Sequence, residues 1–403
     1  MELSEVCELI VDCEHKTAPT QESGYPSIRT PNIGRGRFIL AGVNRVSEET
    51  YRLWTRRAVP QPGDLIMARE APVGNVAMIP PRLQLCLGQR TLLIRPDRSK
   101  VEPSFLNYFL NGPHVQGLIQ AKTNGATVAH LNMEDVRTME LPELPPLPVQ
   151  KRIAGILSAY DELMENNQRR IRILEEMART LYREWFVHFR FPAYEKIKWV
   201  DSTLGPIPLG WEVKNLGQIT AYLNRGLSPA YDENGDSMVI NQKCIRDRRL
   251  SLEPARRQTK PIPAEKRVRF GDVLINSTGV GTLGRVAQVY EDLGTSTVDT
   301  HVTIARPESE TDVDFFGCSL LGLQATFDRL GIGATGQTEL GRTAIAGVEL
   351  VCPPTLIQRR FGEIVRPMRS AATVLQNQIG MLRRTRDLLL PRLLSGQVNL
   401  EII

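Results

Sequence analysis

Pro145-Pro146-Leu147-Pro148-Val149-Gln150-Lys151-Arg152-Ile153 returns later in the chain as Pro353-Pro354-Thr355-Leu356-Ile357-Gln358-Arg359-Arg360-Phe361, with Gln358 standing 208 residues after Gln150. Pro62-Gly63-Asp64-Leu65-Ile66-Met67 returns as Phe270-Gly271-Asp272-Val273-Leu274-Ile275 at the same offset of 208. Between these anchors, Ile94-Arg95-Pro96 returns as Ala305-Arg306-Pro307 at an offset of 211, and Gly125-Ala126-Thr127 as Gly333-Ala334-Thr335 at 208. A three-residue insertion is therefore made and then compensated. A repeat of this length exceeds the roughly 20 to 50 residues of a solenoid unit, so each copy is a domain with its connecting segment. Two similar domains in one chain imply two similar tasks performed side by side.

Outside the anchors, the two copies share a texture. Residues 1 to about 145 and about 200 to 353 are short apolar runs broken by Gly, Pro, Asn or Asp: Phe38-Ile39-Leu40, Asp64 to Met67, Val76 to Ile79 and Thr91 to Ile94 in the first, Val239-Ile240, Val273 to Ile275, Val286 to Val289 and Val302 to Ile304 in the second. That punctuation predicts β-rich domains with long loops, each interrupted by one helical stretch, Pro103 to Gln120 and Asp314 to Leu330. The segments that follow are helical. Apolar residues recur every seven at Ile153, Ile156/Leu157, Tyr160, Leu163/Met164, Ile171, Leu174, Met177/Ala178, Leu181 and Trp185. The second copy repeats the stripe at Phe361, Ile364/Val365, Met368, Ala371/Ala372, Ile379, Leu382, Thr385/Arg386, Leu389 and Leu393, with Arg386 off pattern. Two matching stripes are best buried against each other, and a helix of about 38 residues reaches roughly 57 Å, long enough to act as a spacer. Asn167 lies on the stripe at the position of Leu375 in the second copy, either setting register or merely tolerated. Pro367 predicts a kink or break near Arg366.

The predicted fold class is α+β: two β-rich domains separated by a pair of long antiparallel helices, with a pseudo-twofold internal repeat. The boundaries are 1–147 and 193–355 for the β-rich domains, and 148–192 and 356–403 for the helical spacers.

Composition narrows the class. Of 403 residues, 41% are apolar and 24% charged, the balance of a soluble globular chain of roughly two to four domains. The sequence has no run of about 18 apolar residues, and Met1-Glu2-Leu3-Ser4-Glu5 is acidic where a signal peptide is basic, so the expected location is the cytoplasm. The cysteines at 7, 13, 86, 244, 318 and 352 are scattered without a C-x-x-C pair and indicate neither zinc nor a disulfide framework. A net charge of +5 does not by itself call for nucleic acid. Local clusters are more telling: Arg246-Asp247-Arg248-Arg249, Arg256-Arg257, Lys266-Arg267 with Arg269, and Arg29, Arg35 and Arg37. Beside Gly, Asn and Ser in loops they make either a phosphate-tracking surface or ordinary solvated charge.

Catalytic signatures are missing from the sequence. It has no Walker loop, dinucleotide fingerprint, nucleophile elbow or H-E-x-x-H, and its histidines at 15, 114, 130, 188 and 301 have no ligand spacing. Gly279-Val280-Gly281-Thr282-Leu283-Gly284 lies between strand-like runs and reads as a tight connection. The Pro-Pro pairs at 80, 145 and 353 lack the context of an amino-methyltransferase tetrapeptide.

A duplicated β-rich domain alternating with a duplicated long helix resembles the specificity (S) subunit of type I restriction–modification systems along essentially the whole chain. The most specific match is Leu144 to Asp161, which resembles the entry to that family's central helix. Its echo at Pro353 to Val365, with the close at Leu388 to Gly396, resembles the C-terminal helix. Asp12 to His15, Thr17, Pro19, Gly24 to Arg29 and Asn32-Ile33 resemble the opening of a target recognition domain, as do Arg225-Gly226 and Ile240 to Arg246. The resemblance implies a non-catalytic subunit whose two domains each read half of a split, asymmetric target in double-stranded DNA. It implies two methylation subunits and the restriction (translocase/nuclease) subunits as partners, and no membrane; the partners are expected to use S-adenosylmethionine, ATP and Mg, and this chain no cofactor or metal.

Arg and Lys anchor phosphates while Asn, Gln, Arg and Ser read base edges. The candidate DNA-binding residues are therefore Arg29, Asn32, Arg35, Arg37, Arg69, Gln89, Arg90, Lys122 and Asn124 in the first domain. In the second they are Arg225, Asn241, Lys243, Arg246, Arg248, Asn276, Ser277, Arg285 and His301. Outward helix residues Arg152, Glu162, Arg169, Glu176 and Arg183 are the candidate partner surface. The competing readings are a DNA methyltransferase or nuclease with diverged motifs and a non-catalytic coiled-coil interaction protein.

Overall fold

The structure is a computed structural model that describes residues 1–123, 130–333 and 338–398. The chain divides into two compact units, Met1–Glu165 with Ile379–Ile403, and Asn166–Gln378.

In the first unit, strands β1 (Cys7–Asp12), β2 (Tyr25–Ile28), β3 (Leu65–Ala68), β4 (Val76–Met78), β5 (Cys86–Leu87) and β6 (Thr91–Pro96) precede helices α1 (Pro103–Asn111) and α2 (Pro113–Ala121) and the start of the long helix α3 (Leu147–Tyr182). Four strands form an antiparallel sheet in the order β1-β6-β3-β4, while β2 runs parallel to β5. The apolar run of β3 is continuous because both faces of the sheet are covered. Leu65 and Met67 join the core formed with Phe105, Phe109 and Ile119, while Ile66 and Ala68 join a second core with Ile28, Ile33 and Leu87.

The second unit repeats this design with β7 (Thr220–Arg225), β8 (Ser237–Ile240), β9 (Ile245–Arg246), β10 (Arg249–Leu250), β11 (Val273–Asn276), β12 (Val286–Gln288), β13 (Ser296–Val298) and β14 (Val302–Pro307). Helices α4 (Val313–Gly322), α5 (Gln324–Arg329) and α6 (Thr355–Leu394) follow. The sheet order is β7-β14-β11-β12, and β8 is parallel to β13. The irregularity between Cys7 and Leu9 recurs between Thr220 and Tyr222.

The anchors that repeat in the sequence turn out to be buried polar contacts. The Arg95 guanidinium donates to both carboxylate oxygens of Asp64 at 3.0 and 2.8 Å, and Arg306 does the same to Asp272 at 2.8 and 2.8 Å. Burial pushes the Asp272 carboxyl up and the Arg306 guanidinium partly offsets it. The repeated glutamine is a clamp. Gln150 accepts from the Glu102 N–H at 2.9 Å and donates to the Pro145 carbonyl at 2.8 Å; Gln358 accepts from Asp312 N–H at 3.1 Å and donates to Pro353 at 2.8 Å. Each clamp ties the start of a long helix to the loop that opens the helical stretch of its own β-rich domain.

Within each unit the helix stripe packs into the same core as the sheet. Ile153, Ala154, Leu157 and Leu393 belong to the first core, and Ala178, Trp185, Phe361 and Val365 to the second. Of the paired stripe positions, Met164, Ala178 and Val365 turn inward and Leu163, Met177 and Ile364 outward. Arg386, off pattern in sequence, is accommodated by an ion pair with Asp161, which also accepts from the Tyr108 hydroxyl at 2.6 Å. Asn167 is buried and donates to the Gln378 side chain at 3.4 Å.

Three expectations need correction. Each domain's helical stretch is two helices: Gly112 is extended (φ −68°, ψ 150°) because the residue before Pro113 avoids the helical region, and Leu323 interrupts the second stretch at φ −87°, ψ 4°. The helix Thr355–Leu394 continues through Pro367 without a break. Proline costs about 3 kcal/mol inside a helix, and the packing of Phe361, Val365 and Met368 against the core on both sides of it offsets that cost. Phe38-Ile39-Leu40 is not a strand: the Ile39 N–H donates to the Asn32 carbonyl at 2.8 Å, and Ile39 and Leu40 are exposed.

Removing one partner of a buried ion pair costs more than removing a neutral clamp. Asp272→Ala is expected to lower stability by about 3–5 kcal/mol, and Gln358→Leu, which orphans the Asp312 N–H and Pro353 carbonyl, by about 1–3 kcal/mol. Denaturant midpoints in the reverse order would show that the glutamine is the main restraint.

Candidate nucleic-acid interface

The Asp–Arg pair marks one end of each four-stranded sheet; the opposite end gathers most of the polar candidates. In the first unit the Arg69 N–H donates to the Arg90 carbonyl at 2.8 Å and the Leu131 N–H to the Arg69 carbonyl at 2.9 Å. In the second, the Ser277 N–H donates to His301 at 2.8 Å and the Leu340 N–H to Ser277 at 2.8 Å. Glu70 bridges to His130 as Thr278 bridges to Glu339. Asp12 faces Leu92 across the ladder as Arg225 faces Thr303. The two rims thus correspond in main-chain pairing, Asp12 to Arg225, Arg69 to Ser277, Glu70 to Thr278, Arg90 to His301 and His130 to Glu339, although Arg90 takes a left-handed φ of 68° that His301 does not share.

The side chains on this shared backbone differ. In the first rim Arg69 donates to Asp12 at 2.6 Å and to the Leu131 carbonyl at 2.9 Å, and Arg90 pairs with Glu70 at 3.0 Å. In the second, Arg225 pairs with Glu339 at 2.8 Å and donates to the Leu340 carbonyl at 3.2 Å, while His301 Nδ1 and Thr278 share a 2.7 Å hydrogen bond. Both rims place a guanidinium on the same leucine carbonyl, from different strands. Arg69 and Arg225 are therefore supports as well as candidate contacts. Gln89 donates to the His15 carbonyl at 3.3 Å, and Arg285 to Gly281 at 2.8 Å.

Beside each rim stands a basic hairpin. Ile33 pairs with Phe38 around Gly34-Arg35-Gly36-Arg37, and Ile245 pairs with Leu250 around Arg246-Asp247-Arg248-Arg249. Asn32 and Asn241 hold the hairpin bases: Asn32 accepts from Arg29 N–H and donates to the Ile39 carbonyl, and Asn241 accepts from Lys243 N–H and donates to Pro254. The second turn has positive φ at both central residues, Asp247 at 52° and Arg248 at 60°, as a type I′ hairpin turn requires. Arg249 fastens this hairpin to the long helix through two 2.6 Å hydrogen bonds to Glu175.

Among the described residues Arg29, Arg35, Arg37, Lys122, Lys243 and Arg248 form no ion pair, and all but the half-buried Lys122 are exposed. They are free to meet phosphates. Arg246 is exposed, with only Asp247 at 3.8 Å beside it. Asn276 and Ser277 are corrected as base readers. Both side chains are 0% exposed, Asn276 donating to the Gln242 carbonyl and Ser277 bonded to Thr303 at 2.6 Å. Asn124 lies outside the described residues. Of the helix candidates, Arg152, Glu162, Arg169, Glu176 and Arg183 are all exposed, with Glu176 pairing to Arg179 at 2.8 Å and Arg183 at 3.3 Å. Sequence reading missed Glu70, Thr278 and Glu339, which lie one residue beyond or opposite its candidates and emerge when the repeat is aligned through the insertion.

Asp12, Cys13 and His15 cluster, yet they do not suit a cation. The Asp12 oxygen nearest them already receives Arg69 at 2.6 Å and His15 at 3.0 Å, and burial pushes the Cys13 thiol up, away from thiolate.

Paired rims with exposed, unpaired cations beside them are an arrangement suited to a duplicated DNA-recognition protein. Residues 1–176 match the family described as Type I restriction modification DNA specificity domain. The chain is 25% identical over 373 residues to the type I restriction enzyme MjaIX specificity subunit of Methanocaldococcus jannaschii, covering 90% of this chain and 84% of that one. It is 23% identical to the HindI specificity subunit of Haemophilus influenzae, covering 93% and 95%. In fold it is similar to the S subunit from M. genitalium, with a TM-score of 0.64 at 18% identity over 98% of this chain and 95% of that one. The resemblance read from the sequence holds: residues 1–176 carry the type I restriction–modification DNA specificity domain, and the chain is a non-catalytic DNA sequence-recognition subunit that works with partner subunits. No helix among the described residues is long and apolar enough to cross a membrane.

Arg248→Gly removes one unpaired cation and relieves a left-handed backbone that costs a non-glycine residue roughly 1 kcal/mol. The melting temperature is expected to hold or rise while DNA affinity falls about evenly across sequences, with the salt slope reduced by about one. An unchanged slope in a salt titration would remove Arg248 from the interface.

Proposed function

We propose that the two rims read two different halves of one split target in double-stranded DNA and that the outward faces of Leu147–Tyr182 and Thr355–Leu394 hold two methylation subunits. The observation that carries this reading is the pair of rims with equivalent backbones and different side chains. Identical rims would favour a palindrome; Arg90 against His301 and Glu70 against Thr278 present different donors and acceptors, which favours an asymmetric site. In this reading the chain supplies the address in the cytoplasm, and its partners, including restriction subunits, supply chemistry through S-adenosylmethionine, ATP and Mg.

Mapping N6-methyladenine in a host that carries the cognate methylation subunit, with and without this chain, tests the proposal. A split motif that appears only with the chain is expected. Methylation that stays absent or unchanged with both proteins expressed would sink it.

The spacer role is tested separately. Inserting one seven-residue repeat into each long helix adds about 10 Å, close to three base pairs at roughly 3.4 Å each. Both half-sites are expected to persist with a wider gap; an unaltered gap would mean the helices do not set the distance.

A further inference from the structure

Val280 and Ile332 are the most exposed large apolar side chains among the described residues, at 80% and 78%, and both stand on the second rim. Val280 crowns a turn in which the Thr282 and Leu283 N–H groups donate to the Gly279 carbonyl at 3.1 and 3.0 Å and Arg285 donates to the Gly281 carbonyl at 2.8 Å. Gly279 and Gly281 have φ of 104° and 70°, so the turn is built from residues that adopt this backbone without strain. Ile332 is fixed by two 2.9 Å backbone hydrogen bonds to Glu339, and Thr278 bridges to that same residue. The two segments are in close contact along their length: a Cβ on Gly284 would lie 2.5 Å from the Asp328 nitrogen, and one on Gly331 would lie 2.3 Å from Leu283. Two apolar tips are therefore held by hydrogen-bonded, closely packed backbone beside Arg225, Thr278 and His301.

Neither tip contributes to the core of the chain. Two side chains are also too small a patch for a protein partner, whose stable interface covers about 800 Å² on each side. In the major groove of DNA the apolar group on offer is the thymine C5-methyl, which side chains of this kind contact. Branched side chains lose little rotamer freedom on contact. The Val280 turn differs between the units: in the connection that corresponds to 279–284, Val73 is buried in the core of the first unit.

We infer that Val280 and Ile332 are specificity-determining residues of the second recognition domain, reading thymine methyl groups in its half-site. The inference rests on the recognition function proposed above. The test uses the chain assembled with its methylation subunits and a duplex carrying the motif obtained by methylation mapping, with single thymines replaced in turn by deoxyuridine, which deletes the methyl alone. One or two replacements, all within the half-site of the second domain, are expected to weaken binding by roughly fourfold each, the effect of one buried methyl. Val280→Ala and Ile332→Ala, with unchanged melting temperature, are each expected to abolish the penalty of at least one of these replacements. Sequence-preferring binding that ignores every deoxyuridine overturns the inference while leaving the recognition function standing, as does a thymine preference that survives both substitutions. Loss of all sequence preference in the unsubstituted complex would remove the recognition function and this inference together.

Discussion

A buried carboxylate held by a guanidinium, Asp64 by Arg95 and Asp272 by Arg306, fixes one end of each recognition sheet. Such a pair tolerates little variation, because losing either partner leaves a desolvated charge. It joins the start of the strand Leu65–Ala68 to the end of Thr91–Pro96, and the chain then runs directly into the loop clamped by Gln150; the same connection recurs at Asp272, Arg306 and Gln358. Anchor and clamp together make the start of each long helix an extension of its sheet. At the far ends of the same strands, about 16 Å away at roughly 3.3 Å per residue, lie Arg69 with Arg90 and Ser277 with His301. Retained chemistry and varied chemistry are separated by the length of a short strand.

That separation explains how one backbone serves two readers. Main-chain hydrogen bonds such as Arg69 to Arg90 and Ser277 to His301 do not depend on side-chain identity, so both rims keep these pairings while displaying different residues. Where a side chain is structurally needed, the two copies solve the problem differently. The carbonyl of Leu131 receives the guanidinium of Arg69, and that of Leu340 receives Arg225, which stands where the first copy has Asp12. The role is preserved while the position changes, which frees Ser277 to turn inward onto Thr303.

The same geometry sets what could be read from sequence. The repeat anchors were legible because buried ion pairs and clamps force the same residues into the same places, and the strands Leu65–Ala68 and Val273–Asn276 because two-sided burial leaves continuous apolar runs. The helix stripe was legible in period, but not in which of Leu163 and Met164 faces the core, since neighbouring apolar residues fit a seven-residue pattern equally well. The rim was harder. Asn276 and Ser277 look like base readers by residue type, yet they lie at the end of a buried strand; Asn32 and Asn241 look alike and instead brace hairpins. Side-chain direction at a strand end depends on the partner strand, and that partner lies far away in sequence.

Affinity and specificity are divided accordingly. Among the described residues, Arg29, Arg35, Arg37, Lys122, Lys243 and Arg248 are DNA-binding candidates with neither an ion pair nor a side-chain bond to a carbonyl, whereas Arg69, Arg90, Arg225 and Arg285 are committed to carboxylates or carbonyls. If each of these six neutralised one phosphate, the binding constant would fall with salt at a slope of about five, against about nine for a protein gripping ten phosphates. A chain of net charge +5 therefore contributes a modest share of the electrostatic grip. Its rims, alike in main-chain hydrogen bonding and different in side chains, are better suited to discriminating between sequences than to holding DNA.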